Sequence, residues 1–375
     1  MHNYPASGEG NQKMQYYLAP MEGITTYIYR NAHARYFGGI DKYFTPFISD
    51  KNFISDKTMN SREIRDILPE NNVGAPLVPQ VLTNHADRFL AVAAKIASYG
   101  YDTVNLNLGC PSGTVTAKKR GSGFLSVPDE LDAFLYEIYE KCPLKISIKT
   151  RLGVSDLSEW DRLLDIYAKY PIHELIIHTR LQQEFYTGRT HPEAYAEAGA
   201  RLSEYNAEPE DKAVSKIALC YNGDIVSAKS LEDIVTAVTN HAVASTAILG
   251  HTEKDINIDR IMIGRGIIQN PALALQLKIS RSDTAMSEGA EQTILYNKRI
   301  SKENWRAFHD EIMGGYIKIM SGDSPVLFKM KDLWTYMSRS FTNPEKYLKK
   351  IRKANRISEY VSAVDGLFRE QEIIW

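Results

Sequence analysis

The chain has 375 residues, 43% of them hydrophobic and 24% charged, which is the composition of an ordinary globular protein with a large core. Lys and Arg (45) nearly balance Asp and Glu (46), so no overall basic charge marks a nucleic-acid-binding protein. Three cysteines at widely spaced positions argue against a disulfide scaffold and against a zinc site. We therefore expect a metal-free cytoplasmic protein without a secretory signal or a membrane span.

From about residue 16 to 280, short apolar runs rich in β-branched residues alternate with amphipathic stretches of helical period. The strand candidates are, in chain order, Tyr16–Pro20, Tyr43–Pro46, Leu77–Val81, Thr103–Asn107, Lys145–Thr150, Glu174–His178, Ile217–Asn222 and Arg260–Gly264. Helical stretches such as Ala86–Tyr99 and Leu131–Glu140 lie between them. Eight strand–helix units of this total length predict an α/β fold, a (β/α)₈ TIM barrel. The alternative is a doubly wound sheet, which would place its ligand site at one switch point.

Two connections in this region are long, 197–215 and 240–259, and we expect both to be surface elaborations. Small polar residues at 280–293 predict a linker, and the pattern that follows is helical to the end of the chain. The sequence therefore predicts a barrel domain at 1–285 and a small all-helical C-terminal domain at 294–375.

Polar residues end seven of the predicted strands. They are Pro20-Met21-Glu22-Gly23, Gln80, Asn107-Leu108-Gly109-Cys110-Pro111, Lys149-Thr150-Arg151, His178-Thr179-Arg180, Asn222-Gly223-Asp224 and Gly264-Arg265-Gly266. Polar groups that end apolar strands are unfavourable to bury without partners, so packing does not explain this pattern. Because the carboxyl ends of barrel strands build the active site, we expect the site there.

Two of these strand ends have the chemistry of a cofactor site. Gly264-Arg265-Gly266 offers backbone N–H groups and a guanidinium to a phosphate, after the strand where such barrels often bind one. Lys149 and His178, with Gln80 and Asn222, would place a cation and hydrogen-bond donors beside a reduced flavin. A G-x-G-x-x-G motif after an early strand is missing from the sequence, so a Rossmann site is not supported.

Cys110 differs from the other two cysteines. Cys142 and Cys220 adjoin apolar runs and are expected to be small buried hydrophobic residues. Cys110 lies between Gly and Pro directly after a strand, with Lys118-Lys119-Arg120 shortly downstream. A thiol in that place can donate a proton to a carbon centre or attack an electrophile.

Together these motifs resemble the tRNA-dihydrouridine synthase family, in order and across the whole barrel. They are APMEG at 19–23, Gln80, NLGCP at 107–111, KTRLG at 149–153, HTR at 178–180, NGDI at 222–225 and MIGRG at 262–266. The resemblance implies a bound FMN that NADPH reduces, hydride delivery to C6 of a uracil in tRNA, and protonation of C5 by Cys110. It also implies that FMN is held by Pro20, Met21, Gln80, Lys149, His178, Asn222, Gly223, Asp224, Gly264 and Arg265. Asn107, Arg151 and Arg180 would lie near the uracil or the RNA.

An RNA substrate requires cations for its phosphates. Between Tyr296 and Arg356 there are 14 Lys or Arg against 6 Asp or Glu, so basic charge is concentrated in the C-terminal region. We predict RNA contacts for Lys349, Lys350, Arg352 and Lys353, and for Lys118, Lys119 and Arg120 beside the Cys110 loop. The interleaved aromatic residues Trp305, Trp334, Tyr336 and Tyr347 are expected in the core. We expect a monomer.

Three other functions remain open from the sequence. A flavin barrel acting on a small pyrimidine-like molecule would share the cofactor residues but leave the basic C-terminal region unexplained. A flavin-free isomerase or aldolase would keep the phosphate site and could use Lys149 to form a Schiff base. A catalytically silent RNA-binding protein would not need Cys110.

Overall fold

The computed structural model describes residues 14–50, 62–74, 76–205, 217–249, 258–281 and 297–374, with the side chains of 203–205 and 244–249 left aside. The predicted linker at 280–293 lies outside these residues from 282 onward. So do 206–215 and 250–257 of the two long connections. Residues 197–205 and 240–249 of these connections are helical.

Eight parallel strands form the centre of the molecule. They are β1 (Gln15–Leu18), β2 (Lys42–Phe44), β3 (in two segments, Leu77–Val78 and Gln80–Leu82), β4 (Thr103–Leu108), β5 (Lys145–Arg151), β6 (Glu174–His178), β7 (Ala218–Asn222) and β8 (Arg260–Ile263). Pro79 divides β3 because proline has no N–H for the ladder. A short strand, Ile48–Ser49, pairs with the second segment of β3.

The strand pairing closes this sheet on itself. β1 pairs with β8, Leu18 opposite Ile263, and also with β2. The first segment of β3 pairs with β2 and the second with β4, and the remaining strands follow in chain order. A closed ring of eight parallel strands is a TIM barrel, so the predicted fold is confirmed.

Helices cover the outside of the barrel. They are α1 (Tyr27–Tyr36), α2 (Ala86–Ser98), α3 (Pro128–Lys141), α4 (Glu159–Tyr167), α5 (Pro192–Tyr205), α6 (Ala228–Leu249), α7 (Arg265–Gln269) and α8 (Leu273–Ser280). Single helical turns also form at Arg62–Arg65 and Gly113–Thr116. In α2 the buried residues Phe89, Val92, Ala93 and Ile96 share one face, which packs onto the strands. Residues 197–205 continue α5 and 240–249 continue α6, so these parts of the expected surface elaborations are regular barrel helices.

Apolar side chains fill the inside of the barrel, including those of Tyr17, Phe44, Ile176 and Met262. Cys220 is buried among them, as expected for a small hydrophobic residue. At the amino ends of the strands, the Glu174 carboxylate accepts a hydrogen bond of 2.7 Å from the Tyr17 hydroxyl. It also forms ion pairs with Lys42 (3.3 Å) and Arg260 (3.6 Å). The barrel is therefore closed at this end by packed apolar groups and a neutralised buried carboxylate.

The predicted helices of the C-terminal region are confirmed as α9 (Lys302–Ile319), α10 (Asp323–Met337), α11 (Glu345–Lys353) and α12 (Ile357–Glu370). Phe308 of α9 contacts Phe37 and Tyr29 edge-on, with ring centroids 5.2 and 5.5 Å apart, so apolar packing continues from barrel to helices. The Lys329 ammonium on α10 donates to the Gly23 carbonyl in the loop after β1. Among the described residues, no helix is long and apolar enough to cross a membrane.

Candidate active site at the barrel mouth

The carboxyl ends of the strands and the loops after them form an open end of the barrel, called the mouth below. Strand register places the predicted site residues beside one another: Asn107 lies opposite Lys149, and His178 lies opposite both Arg151 and Asn222. Polar side chains that are far apart in the sequence therefore converge at one edge, as the fold requires.

A row of amide side chains crosses the mouth from β3 to β4. Gln80 is fully buried and donates to the Asn105 amide oxygen at 2.8 Å. The Gln80 amide oxygen accepts from the Asn107 amide nitrogen at 2.7 Å. Because an amide nitrogen carries two hydrogens and the oxygen two lone pairs, Gln80 keeps one donor and one acceptor position for a ligand.

The loop that carries Cys110 is fixed at both of its ends. The Asn107 amide oxygen accepts hydrogen bonds of 3.0 Å from the backbone N–H groups of Gly109 and Cys110. The Cys110 carbonyl accepts from the backbone and the hydroxyl of Ser122. Burial raises the pKa of the Cys110 thiol above its usual value, so the thiol is protonated at neutral pH. Asn107 thus positions the cysteine, which the sequence did not indicate.

Arg151 is fully buried, and each guanidinium nitrogen donates to a backbone carbonyl. Its partners are Gly109 (2.9 Å), in the Cys110 loop, and Leu181 (2.8 Å) and Phe185 (2.7 Å), in the loop after β6. Burial lowers the pKa of Arg151 to about 10, which leaves it charged at neutral pH. The structure therefore places this predicted RNA-contacting residue between two loops that it ties together.

Lys149 is held by the predicted partner Asn222. The ammonium donates to the Asn222 amide oxygen at 2.9 Å, and the Asn222 amide nitrogen donates to the Met262 carbonyl at 2.8 Å. Burial, with the positive charge of Arg151 nearby, lowers the pKa of Lys149 to about 7. A bound anionic group would favour the charged form of this lysine.

The end of β6 carries a histidine surrounded by cations. Burial first, and then the positive charges of Arg151, Lys149 and Arg180, hold the pKa of His178 well below its ordinary value, so the ring is neutral. A nitrogen of Arg180 lies 3.4 Å from Nε2 of His178. Because a guanidinium only donates, Nε2 accepts and the ring proton is placed on Nδ1, where it can be donated to a ligand.

Asp224 joins the loops after β6, β7 and β8. Its carboxylate accepts from Arg180 and from Arg265, the latter at 2.6 Å. Burial would raise the pKa of Asp224, but the hydrogen bonds and charges of the two arginines outweigh it and hold the pKa below its usual range. Arg265 also donates to the Tyr186 carbonyl at 2.8 Å. The predicted phosphate-binding arginine is thus oriented by two protein groups.

One glycine at the mouth is required by its surroundings, and the neighbours of a second show which segments meet there. A Cβ at Gly223 would lie 2.8 Å from the Tyr221 hydroxyl and 2.9 Å from the Thr179 hydroxyl, closer than side-chain atoms approach. At Gly264 a Cβ would meet Ala19 at 3.4 Å and the Met21 sulfur at 3.7 Å. The Pro20–Met21 segment after β1 therefore lies beside the β8 end, which brings together residues that the sequence predicted as one site.

A family comparison decides the assignment. The family model described as dihydrouridine synthase (Dus) matches residues 17–355, which is nearly the whole chain. This chain belongs to the dihydrouridine synthase family. It is therefore an enzyme, an oxidoreductase, and the prediction from the sequence motifs is confirmed.

Named relatives agree with the family model. A protein of Staphylococcus aureus (strain COL), named a probable tRNA-dihydrouridine synthase, is 27% identical over 254 residues, 68% of each chain. A probable tRNA-dihydrouridine synthase 2 of Bacillus subtilis (strain 168) is 28% identical over 254 residues, 68% of this chain and 69% of that protein. A solved variant of NCR from Zymomonas mobilis is similar at 14% identity and a TM-score of 0.39, over 72% of this chain and 87% of that one.

The basic residues beside the Cys110 loop of this dihydrouridine synthase have unequal environments. Arg120 is 11% exposed and forms two hydrogen bonds with Asp50, at 3.1 and 2.9 Å, and one with Asn84. Lys119 pairs with Glu130 at 2.8 Å, and Lys118 is exposed. Arg120 therefore anchors the loop to a buried carboxylate, and of the two exposed lysines Lys118 has no carboxylate partner among the described residues.

Helix α11 presents a row of cations to solvent. Lys349, Lys350, Arg352 and Lys353 are all exposed. In the part of the chain that the structure describes, none of the four forms an ion pair. Tyr347 and Ile351 are buried on the opposite face, so the expectation that Tyr347 belongs to the core is confirmed.

Motif reasoning missed two residues of this site. Asp50, fully buried, holds both Arg120 and Arg88 (3.3 Å), but it follows the short strand Ile48–Ser49, which the sequence did not predict. The Tyr186 ring lies 5.4 and 5.7 Å from the guanidinium carbons of Arg151 and Arg265 and stacks on His178. The sequence does show an aromatic residue shortly after the HTR motif. However, the position of a tyrosine in a loop does not reveal which side chains it will contact.

Proposed function

We propose that this dihydrouridine synthase reduces uridine to 5,6-dihydrouridine in tRNA, with bound FMN as the redox cofactor and NADPH as the reductant. The family assignment supports the reaction, and the names of the relatives support tRNA as the substrate. The observation that carries the proposal is a protonated thiol, Cys110, fixed at the rim of a mouth lined by cations and a neutral histidine.

The residues at the mouth fit an anionic cofactor. Three arginines and one lysine lie there, and the Asp224 carboxylate pairs with two of the arginines. The remaining positive charge suits the phosphate of FMN and the electron-rich ring of its reduced form. The residues proposed to hold FMN are Pro20, Met21, Gln80, Lys149, His178, Asn222, Gly223, Asp224, Gly264 and Arg265.

When bound, FMN supplies the hydride for C6 of the uracil. The chain contributes binding and orientation. Arg265, held by Asp224 and the Tyr186 carbonyl, would meet the phosphate, whereas Lys149, His178 and Gln80 would meet the polar edge of the ring. A ligand that carries negative charge beside Lys149 would raise the pKa of that lysine and hold the ammonium in its charged form.

Cys110 would complete the reduction by transferring its Sγ proton to C5 of the uracil. The raised pKa keeps the thiol protonated before the reaction, which an acid requires. Asn107 and Arg151 position the loop through the Gly109 and Cys110 backbone. After transfer, the thiolate would regain a proton from solvent.

RNA binding is proposed for the exposed cations of α11 and for Lys118. Phosphate contacts of this kind give affinity without sequence selectivity, so they suit a substrate that is recognised by its folded shape. We further propose that residues 1–285 act as the catalytic domain and 294–375 as the tRNA-binding domain. The enzyme would act as a monomer in the cytoplasm, where its substrate is found.

The test is an absorption spectrum of the purified protein, followed by anaerobic addition of NADPH. We expect a flavin spectrum that bleaches, and dihydrouridine in tRNA from cells lacking the gene after incubation with the enzyme, measured by mass spectrometry of nucleosides. A colourless protein that does not take up FMN contradicts the cofactor assignment. A reducible flavoprotein that leaves such tRNA unchanged contradicts the substrate.

A further inference from the structure

Phe185 stands in a backbone conformation that phenylalanine rarely adopts. Its φ is 49° and its ψ is −110°, and the Thr187 N–H donates to the Glu184 carbonyl across the turn. These angles belong to the first central position of a type II′ turn, which glycine normally fills because it has no Cβ. Phe185 is 52% exposed, so burial in a core does not account for an aromatic residue there.

The loop around Phe185 is held in place by hydrogen bonds to its backbone. Arg151 binds the carbonyls of Leu181 and Phe185. Arg265 and Arg180 bind those of Tyr186 and Gly188. The Glu184 carboxylate accepts from the Leu181 N–H and lies 2.9 Å from a ring nitrogen of His191. The strained turn is thus fixed by its surroundings, and strain of this kind is found where a side chain has a function.

The position of the turn limits what the ring can contact. One guanidinium, that of Arg151, binds both the Phe185 carbonyl and the Gly109 carbonyl next to Cys110, so the turn borders the reacting thiol. A flat base fits an exposed aromatic ring at this place, and a nucleotide of single-stranded RNA presents one.

We propose that Phe185 stacks on the base of the unpaired nucleotide next to the target uridine. The inference rests on the proposed function and deepens it. A uridine that enters the mouth must leave its own stack, which exposes a face of the neighbouring base. An exposed ring fixed at the entrance replaces that missing stacking, so it lowers the energy of the opened RNA and holds the target in place.

Three variants of the full-length enzyme separate the ring from the turn. Phe185→Ala and Phe185→Gly both remove the ring, but glycine favours the turn, so Phe185→Gly unfolds at a higher temperature than Phe185→Ala. If stacking is the function, both raise the KM for unmodified tRNA from cells lacking the gene roughly tenfold, a change equivalent to about 1.4 kcal/mol. Phe185→Tyr keeps a ring and retains a KM near that of the wild type.

Tyr136→Ala is the matched control, because Tyr136 is also an exposed aromatic residue (65%) but lies on the outer helix α3. Its KM should equal that of the wild type. A wild-type KM in Phe185→Ala overturns the proposal, and so does a KM restored in Phe185→Gly, since the turn would then be what matters. A rise in the KM for NADPH without a change for tRNA also overturns it, because the ring would then stack on the reductant.

The same assay distinguishes failure of the inference from failure of the proposed function. If the wild-type enzyme forms no dihydrouridine in this tRNA, the proposed substrate is wrong and the variants are not informative about stacking on it. Binding of each variant to a single-stranded oligouridine, measured by fluorescence anisotropy, then decides the inference separately. Equal affinity of the wild type and Phe185→Ala for this probe would overturn it.

Discussion

Two groups of basic residues in this dihydrouridine synthase differ in what their donors contact. At the mouth, Arg151 and Arg180 are almost fully buried, and their nitrogens bind backbone carbonyls and the Asp224 carboxylate. On α11, Lys349, Lys350, Arg352 and Lys353 point to solvent without an ion pair to any described residue. The first group shapes loops, and the second is available to a polyanion.

The difference shows that the number of basic residues near a predicted site does not measure its capacity to bind RNA. A buried guanidinium whose donors are all satisfied cannot move away from its carbonyls without leaving them unpaired. An exposed lysine exchanges contacts with water for contacts with an RNA phosphate, and this exchange releases a counterion from the RNA. The comparison therefore predicts that the mouth determines the rate and the stability, and that α11 determines the affinity.

The largest effect should come from Cys110→Ala. The variant keeps the fold and the RNA affinity, but without the acid the single-turnover rate falls by about 10²–10⁴-fold. Cys142→Ala is the control, because this half-buried cysteine at the end of α3 lies outside the mouth and should leave the rate unchanged. A Cys110→Ala enzyme that reduces uridine at the wild-type rate would show that another group donates the proton.

Arg151→Ala should come next. It leaves three carbonyls without their donor, so we expect the free energy of unfolding to fall by about 3 kcal/mol or more, measured by urea denaturation. Arg162→Ala removes an exposed arginine paired with Asp129 and should change the free energy by less than about 1 kcal/mol. If the free energy falls by the same small amount in both variants, Arg151 does not hold the two loops together.

Replacing the four α11 cations with alanine should weaken RNA binding without changing the single-turnover rate at saturating RNA. For each cation that meets a phosphate, its removal reduces the slope of log affinity against log salt by about 0.7–0.9. The matched control removes four exposed cations that have carboxylate partners, Lys141, Arg162, Lys169 and Lys229. An unchanged salt slope in the α11 variant would place the RNA elsewhere on the surface.

A last prediction concerns pH. In protein freed of bound ligands, Lys149 has a pKa of about 7, whereas the unfolded chain has the ordinary value of 10.5. Between these values the unfolded chain binds a proton that the folded one does not, so wild-type stability rises with pH from about 7 to about 10. Lys149→Met should lack this rise, as urea denaturation across the range will show. If the plots of stability against pH are parallel for the wild type and Lys149→Met, Lys149 has the same pKa in the folded and the unfolded state.

Much of the fold could be predicted because its signals are local. Strand runs and helical periods are each recognised from a short stretch of sequence, and barrel topology follows from their alternation. The strand ends then identified the mouth. The stretches at 197–205 and 240–249 were misjudged as elaborations, although Ala and Glu in the first favour a helix. Where the composition suits either a loop or a helix, packing against neighbouring elements decides which of the two forms.

The contacts that position the site could not be predicted in the same way. Arg151 binds carbonyls of Gly109, Leu181 and Phe185, and every residue type offers a carbonyl. Asp50 meets Arg120 across 70 positions of sequence. A sequence motif identifies the side chain that acts. The atoms that hold this side chain in place are brought together only when the chain folds.

The closed amino end of the barrel has a kinetic consequence. Apolar side chains and the Glu174 ion pairs fill that end, so the proposed reductant and the proposed RNA substrate would use the same entrance. The two would then compete for that entrance. The nicotinamide nucleotide would therefore dissociate before the RNA binds, and the enzyme would stay reduced by two electrons between the two binding events. Initial-rate plots at several fixed concentrations of NADPH should then give parallel lines.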